Sequence, residues 1–225
     1  MFTVTYLEII FGVTAYHFIN HYLQHSKINL SNNKIFKQFV LLHNVLLTVY
    51  SGMTYMESTK IVLQLSTREL FSDKAMILYD NNHYQNLLYF FYLSKYWEFF
   101  DTWIHYLKGR RPSYFQVYHH TGAVLMMGTG YINQVISIWL FITFNSFVHT
   151  LMYTYYALSC LKIKVPYKKW LTSLQIVQLC SAISMGWYYF FFTNMPVDHK
   201  VCLVLSTGYI FGLIDMFTSF YKRNY

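Results

Sequence analysis

The chain is 225 residues long, and its composition excludes most classes of soluble protein. Hydrophobic residues make up 55% of the chain and charged residues only 12%, about half the charged share of an average globular domain. The net charge is +8, but the basic residues are divided among separate membrane-edge segments, which argues against a nucleic-acid surface. We therefore expect one integral membrane domain that covers residues 1–225.

Seven apolar stretches are long enough to cross a hydrocarbon layer of about 30 Å as helices. We place them at residues 2–22, 36–56, 84–107, 115–131, 135–160, 170–193 and 200–221. The predicted fold is therefore all-α and polytopic, with seven transmembrane helices and the two chain ends on opposite sides of the membrane. The longest polar stretch, residues 57–83, is compatible with an ordered loop that contains short helices.

Basic residues divide unevenly between the two sides that this span count defines. One side receives only Lys60, Arg68, Lys74 and Lys200, and Lys95 lies within a span. The other side receives Lys27, Lys34, Lys37, Lys108, Arg110, Arg111, Lys162, Lys164, Lys168, Lys169, Lys222 and Arg223. Cytosolic loops of membrane proteins carry the excess of Lys and Arg. The N-terminus is thus predicted to be lumenal or external, and the C-terminus cytosolic.

The third span carries an unusual set of polar side chains, which are costly in hydrocarbon unless they face a partner or a cavity. Lys95, Glu98, Asp101 and Thr102 fall within about a third of the helix circumference at ~100° per residue. Lys95 and Glu98 have the spacing of an ion pair, which leaves Asp101 as the extra charge. A structural ion pair would explain two charges. Three charges and a hydroxyl on one face favour a functional site.

Three further spans carry polar residues at helical spacing, one stripe in each span. The stripes comprise Gln116, His119 and His120 in the fourth span, Asn145, His149, Met152, Tyr153 and Tyr156 in the fifth, and Thr172, Gln175 and Gln178 in the sixth. Together with the third span, these stripes predict a bundle of four helices that lines a polar chamber.

Two kinds of chemistry suit such a chamber. Neutral imidazole is a nucleophile near physiological pH, and a second histidine can carry the proton, so acyl transfer is the first hypothesis. The second is a di-iron desaturase or hydroxylase, because His17, His21 and His25 add further histidines at regular spacing. Such a site needs many imidazoles on one membrane face, whereas His43 and His105 look isolated. A seven-helix transporter or receptor ranks below both, since no repeat or broken helix pair marks a substrate site.

The polar stripes, taken in order, resemble the four motifs of the ELO-type fatty acid elongases. The matching residues read Lys95-x-x-Glu98-x-x-Asp101-Thr102, Gln116-x-x-His119-His120, Asn145-x-x-x-His149-x-x-Met152-Tyr153-x-Tyr155-Tyr156 and Thr172-x-x-Gln175-x-x-Gln178. The likeness is strong over residues 95–178. It extends more loosely from His43-Asn44 to Phe217-x-x-Phe220-Tyr221-x-x-x-Tyr225.

The resemblance implies a fold and a reaction. Six of seven transmembrane helices would surround a narrow acyl tunnel, and an acyl-CoA would condense with malonyl-CoA to give 3-ketoacyl-CoA, CO₂ and CoA. His119 would hold the acyl group as an acyl-imidazole, His149 would assist, and Asn145 would lie near the malonyl carbonyl. The remaining catalytic positions implied by the motifs are Gln116, His120, Lys95, Glu98 and Asp101.

The resemblance also implies contacts and partners. No metal or redox cofactor is expected, because decarboxylation supplies the carbanion. Expected substrate-binding residues are Thr102, Met152, Tyr153, Tyr156, Thr172, Gln175 and Gln178, with Lys108, Arg110, Arg111, Lys168 and Lys169 at the cytosolic mouth, where they suit the polyanionic CoA. Expected partners, besides the lipid bilayer of the endoplasmic reticulum, are a ketoacyl-CoA reductase, a hydroxyacyl-CoA dehydratase, an enoyl-CoA reductase and a second copy of the chain.

Two positions depart from the family pattern. The family most often has a third histidine where this chain has Gln116, and glutamine can hydrogen-bond there but cannot accept a proton. Asp215 places a carboxylate within the last span, which the pattern does not explain.

Overall fold

The computed structural model describes residues 3–224, so Phe2 in the first predicted span and Tyr225 in the closing motif lie outside the described residues. Within that range the chain forms nine α-helices, one 3-10 helix and no strand, which confirms the all-α prediction. In chain order they are α1 (Tyr6–His25), α2 (Lys34–Val62), α3 (Thr67–Leu70), the 3-10 helix (Asp73–Asp80), α4 (Asn82–Trp97), α5 (Phe99–Leu107), α6 (Tyr114–Ile132), α7 (Ile138–Cys160), α8 (Lys168–Phe192) and α9 (Val197–Asn224).

Each predicted span coincides with helical structure, and several helices begin where a polar side chain caps a free amide. The side chains of Thr5, Asn33 and Ser113 accept hydrogen bonds at the starts of α1, α2 and α6. Helices α2 and α9 have the length and hydropathy of membrane-crossing helices in their own right. That all seven segments cross a membrane stays a prediction.

The third predicted span is split, whereas the sequence pattern predicted one continuous helix over residues 84–107. Glu98 alone separates α4 from α5, with φ −62° and ψ −15°. The backbone stays hydrogen-bonded across this junction, because Glu98 N donates to Ser94 O at 3.0 Å and Asp101 N donates to Glu98 O at 3.0 Å. The split therefore lies within the polar motif itself.

The polar stretch over residues 57–83 is ordered, as the sequence suggested. Helix α2 continues into it as far as Val62, and α3 and the 3-10 helix follow. Leu70, Leu78 and Tyr79 are buried in the core, and the Tyr79 hydroxyl donates to Val135 O at 2.9 Å. This segment thus covers one end of the helix bundle.

The loops gather at two ends of the bundle. At the first, which we call the basic end, lie residues 26–33, 108–113 and 161–167, and Leu30 N donates to Leu107 O at 2.7 Å. At the opposite end, Asn194 N donates to Asp73 Oδ1 at 2.9 Å and Asn133 Nδ2 to Tyr6 OH at 3.0 Å. Successive loops therefore lie at alternate ends of the bundle, as expected for seven helical segments that alternate in direction.

Large apolar side chains cover the outer faces of the helices. Leu7 and Phe11 on α1 are 78% and 75% exposed, and Phe192 on α8 is 72% exposed. Exposed apolar surface of this extent is rare on soluble monomers. It indicates that the bundle is surrounded by an apolar medium.

Candidate active site

The ion pair between Lys95 and Glu98 is the centre of the polar site. Lys95 Nζ donates to Glu98 Oε1 at 2.7 Å and to Asn145 Oδ1 on α7 at 3.0 Å, and all three residues are buried. His149, one turn further along α7, places its Nδ1 3.3 Å from the same Glu98 oxygen. When Nδ1 donates this proton, the other imidazole nitrogen of His149 is a free acceptor.

Asp101 is not the unpaired charge that the sequence pattern indicated. His43 Nε2 on α2 lies 2.8 Å from Asp101 Oδ1, and the Tyr153 hydroxyl donates to Asp101 Oδ2 at 2.7 Å. The prediction that His43 is isolated was therefore wrong, because α2 brings it to α5 from a distant part of the sequence. The signal was available, since an ionisable residue inside an apolar span calls for a partner.

The histidine motif lies on the first two turns of α6. His119 and His120 have ring centroids 5.2 Å apart, and His120 is buried with no partner for its Nδ1. The Tyr209 hydroxyl on α9 donates to His119 O at 2.8 Å, and a Cβ at Gly122 would collide with the same tyrosine ring. Glycine at this position lets α9 approach α6. Sequence reasoning missed Tyr209.

A wide cavity of about 650 Å³ opens beside these residues. Ser113 and Lys168, both exposed, lie on its rim at the basic end. The polar residues of the sequence motifs on its wall are Glu98, Asp101, Gln116, His119, His120, His149, Met152, Tyr153, Tyr156, Thr172, Gln175 and Gln178. The stripes of the fourth and sixth spans thus enter this cavity in full, and those of the third and fifth spans enter it in part.

A narrow cavity of about 110 Å³ continues toward the opposite end. Lys95 and Asn145 lie on its wall, and its far part is lined by Val135, Ser137 and Ile138 at the turn between α6 and α7. The two cavities share the lining residues Glu98, His119, His149, Gln178 and Leu179. The two histidines therefore stand at the junction of a wide polar space and a narrow one.

The helices that line the two cavities are α2 and α4 to α9. Helix α1 contributes no lining residue among the described part of the chain. Six helical segments, with α4 and α5 counted together, therefore surround the combined space, and α1 packs outside them.

The structure does not bring every expected substrate-binding residue to the cavities. Lys108 and Lys168 line the wide cavity, but Arg110, Arg111 and Lys169 do not. Thr102 is fully buried and bonds to the Tyr16 hydroxyl at 2.8 Å, outside both cavity walls. It lies on the α5 surface that faces α1, and its expected contact with substrate stays a prediction.

Among residues 3–224, no group of three or more His, Cys, Asp or Glu side chains has the geometry of a metal site. On α1, His17 Nε2 lies 3.1 Å from Thr121 Oγ1 and the His21 and His25 rings lie 4.5 Å apart, but none of these three lines either cavity. The histidines of α1 and those of α6 and α7 thus form separate groups.

Comparison with known proteins places this arrangement in a family. The chain is similar to "Putative fatty acid elongase 1" of Schizosaccharomyces pombe, with 32% identity over 76% of this chain and 51% of that protein. It is similar to "Very long chain fatty acid elongase 5" of Tachysurus fulvidraco, with 27% identity over 83% of this chain and 65% of that protein. It is also similar to "Fatty acid elongase sre1" of Dictyostelium discoideum, with 32% identity over 61% of this chain and 53% of that protein. The chain spans about half to two thirds of the length of these relatives. Residues 1–225 match the family described as ELO: GNS1/SUR4. The chain belongs to the ELO: GNS1/SUR4 family.

Proposed function

We propose that this protein is a condensing enzyme of fatty acid elongation, which joins an acyl-CoA to malonyl-CoA to form 3-ketoacyl-CoA, CO₂ and CoA. The observation that carries the proposal is the position of His119 and His149 at the junction of the two cavities. An acyl chain in the narrow cavity and a CoA group in the wide one would place the thioester at this junction. The three relatives named above are all called fatty acid elongases, which supports the proposal.

In the first half of the reaction, an imidazole nitrogen of His119 attacks the thioester carbonyl. The C–S bond breaks, the acyl group stays on His119 as an acyl-imidazole, and CoA leaves as a thiolate that takes up, by way of His149, the proton lost from the His119 ring. His149 assists as the proton acceptor, because Glu98 occupies its Nδ1 and leaves the other nitrogen free. Lys95 donates a hydrogen bond to Glu98 and opposes its negative charge.

In the second half, malonyl-CoA loses CO₂ and the resulting enolate attacks the acyl carbonyl. The C–N bond to His119 breaks and 3-ketoacyl-CoA is released, while the freed His119 nitrogen takes up one proton, which the overall condensation consumes, to restore the neutral imidazole. Developing negative charge on oxygen needs fixed donors in a site sheltered from water. Asn145 supplies one such donor. Its Oδ1 accepts from Lys95, which leaves its amide N–H groups to donate to a substrate carbonyl.

We further propose that seven helical segments cross the membrane of the endoplasmic reticulum, with the basic end cytosolic. Lys108 and Lys168 on the wall of the wide cavity then attract the phosphates of CoA from the cytosol. The reductases and dehydratase that complete an elongation cycle are proposed as functional partners, and no metal or redox cofactor is part of the proposal.

The test uses membranes that carry the protein, a panel of saturated and unsaturated acyl-CoAs, and labelled malonyl-CoA. With acyl-CoA alone, the wild type is expected to release CoA once per active site, and mass spectrometry should find the acyl mass on the peptide that contains His119. His119→Ala should abolish this release and the condensation. His17→Ala is the matched control, outside both cavities, and should keep activity within about twofold.

Two outcomes would contradict parts of the proposal. If CoA release requires malonyl-CoA from the outset, the acyl-imidazole is wrong and His119 acts in acid–base or oxyanion roles. A second arm of the experiment tests the di-iron hypothesis. A di-iron enzyme requires iron and oxygen, whereas condensation consumes no oxygen. Activity should survive iron chelation and anaerobic conditions. Oxygen-dependent desaturation of the acyl chain would replace the proposal by that alternative.

A further inference from the structure

A chain of hydrogen bonds leads from α4 through α2 to the acyl-transfer site. Trp97 Nε1 donates to His43 Nδ1 at 3.1 Å, and Trp Nε1 can only donate. His43 Nδ1 is therefore an acceptor, and the proton of the neutral ring lies on Nε2, which faces Asp101 Oδ1 at 2.8 Å. The tautomer and the ring orientation of His43 are thus both fixed.

The same chain continues from Asp101 to α7. The Tyr153 hydroxyl donates to Asp101 Oδ2 at 2.7 Å, so both oxygens of the carboxylate have a donor on a different helix. The Tyr153 ring then packs on the His149 ring, with centroids 5.6 Å apart and planes at 73°. His149 is held on its other side by Glu98.

Burial distinguishes this arrangement from an incidental surface contact. The His43 side chain is 1% exposed and that of Asp101 17%. The His43 ring is also enclosed by the rings of Phe39 and Phe100, with centroids 6.3 and 6.1 Å away. A hydrogen bond to a charged group in such surroundings holds its partners in one geometry more firmly than an exposed pair would.

We propose that His43 is a positioning residue of this site, which holds the His149 imidazole in place through Asp101 and Tyr153. His43 lies outside both cavity walls and touches no substrate space. The inference rests on the proposed function in so far as it assigns His149 a part in acyl transfer. It adds α2, which carries none of the four motifs, to the machinery of the reaction.

Three substitutions separate positioning from packing. His43→Phe keeps a ring but removes both hydrogen bonds, whereas His43→Gln places an amide N–H close to the position of Nε2 and can still donate to Asp101. His199→Phe is the matched control, since His199 as a whole residue is as buried as His43, each 3% exposed, but lines neither cavity. Size-exclusion profiles and thermal unfolding in detergent identify any variant that fails to fold.

The first readout is condensation. His43→Phe is expected to lower kcat by about 10- to 100-fold, because a misplaced group far from the chemistry can cost that much, and to change KM by less than about twofold. His43→Gln should recover most of the loss, and His199→Phe should behave as the wild type. His43→Phe combined with Asp101→Asn should be no slower than the slower single variant, since both act through one chain of contacts.

The second readout needs no substrate. Carbethoxylation of His149 by diethyl pyrocarbonate, followed by peptide mass spectrometry, should change in rate by at least about threefold in His43→Phe and return toward the wild-type rate in His43→Gln. An unchanged kcat and an unchanged rate in folded His43→Phe would overturn the inference. So would a glutamine variant as impaired as the phenylalanine one. A wild type without condensation would refute the proposed function alone, because the carbethoxylation rates would still decide the role of His43.

Discussion

Thr102, a residue of the first motif, makes a buried contact between two helices. Its hydroxyl and that of Tyr16 lie 2.8 Å apart, and the Tyr16 ring stacks on Phe99 with centroids 4.0 Å apart. Both residues are at most 1% exposed. Since α1 touches neither cavity, this hydrogen bond fastens an outer helix to the segment that carries the charges.

The first prediction at the residue scale follows from that bond. Thr102→Val keeps the shape but leaves the buried Tyr16 hydroxyl without this partner, so we expect it to destabilise the protein by about 1–2 kcal/mol. Tyr16→Phe with Thr102→Val should be close to neutral, because neither hydroxyl is then left behind. Thermal unfolding in detergent measures both. If Thr102→Val lost condensation per folded molecule without losing stability, Thr102 would act in substrate binding instead of in helix packing.

The residue pattern predicted the Lys95–Glu98 pair because the two residues are one turn apart and need no tertiary information. It did not predict the partners of Asp101, because His43 is 58 positions away and Tyr153 is 52 positions away. Nor did it predict that side chains of α9, such as Tyr209, would enter the site. Periodicity within one helix reports which face is polar, but not which other helix meets that face.

At the scale of elements, the hairpin of α6 and α7 closes the narrow cavity. Gly130 and Ile138 pack against each other at this hairpin, and a Cβ added at Gly130 would meet Ile138 Cδ1 at 2.7 Å. Both residues lie on the cavity wall. Under the proposed function, in which the narrow cavity holds the acyl chain, we expect the Ile138 side chain to limit the space at its end.

We predict that Ile138→Ala shifts the products of elongation toward longer acyl chains. Ile142→Ala is the matched control, because Ile142 lies one turn further on the same helix and is fully buried, but lines neither cavity. Both changes should destabilise the protein by about 2–5 kcal/mol, while only Ile138→Ala alters product length. Gas chromatography of the products decides this. Equal product profiles in the two variants would mean that chain length is limited elsewhere.

The apolar stretches of the sequence predicted where the helices lie, but they did not predict the junction at Glu98. A residue with helical dihedrals between two helices leaves no mark in composition, since Glu98 has neither proline nor glycine beside it. The continuation of α2 to Val62 likewise escaped the apolar pattern, because its last turns carry Glu57 and Lys60, which pair with each other at 2.7 Å. An ion pair between side chains, which an apolar pattern does not reveal, thus lies in this part of α2.

At the scale of the whole molecule, the two ends differ in charge and in covering. Twelve of the seventeen Lys and Arg residues fall in the segments around the basic end, where the wide cavity has its rim. The opposite end is covered by α3 and the 3-10 helix, whose buried residues pack into the core. Under the proposed function we therefore expect substrate to enter at the basic end, which the charge rule predicts to be cytosolic.

The orientation is tested with glycosylation sites. Asn29-Leu30-Ser31 is an acceptor sequence at the basic end, and we expect it to stay unmodified in microsomes. Lys74→Asn with Met76→Thr creates an acceptor at exposed position 74 in the 3-10 helix, which should be glycosylated. A gel shift removed by glycosidase reports each site. Modification at Asn29 would reverse the proposed orientation.

The split polar segment also has a consequence for how the protein is made. A membrane protein enters the bilayer helix by helix, and a charge that enters without a partner is costly. When α4 and α5 emerge, Lys95 and Glu98 already neutralise each other, and His43 on the earlier α2 is present to meet Asp101. Asn145, His149 and Tyr153 arrive later with α7 and add their contacts to charges that are already covered. The order of synthesis therefore matches the order in which the buried charges find partners.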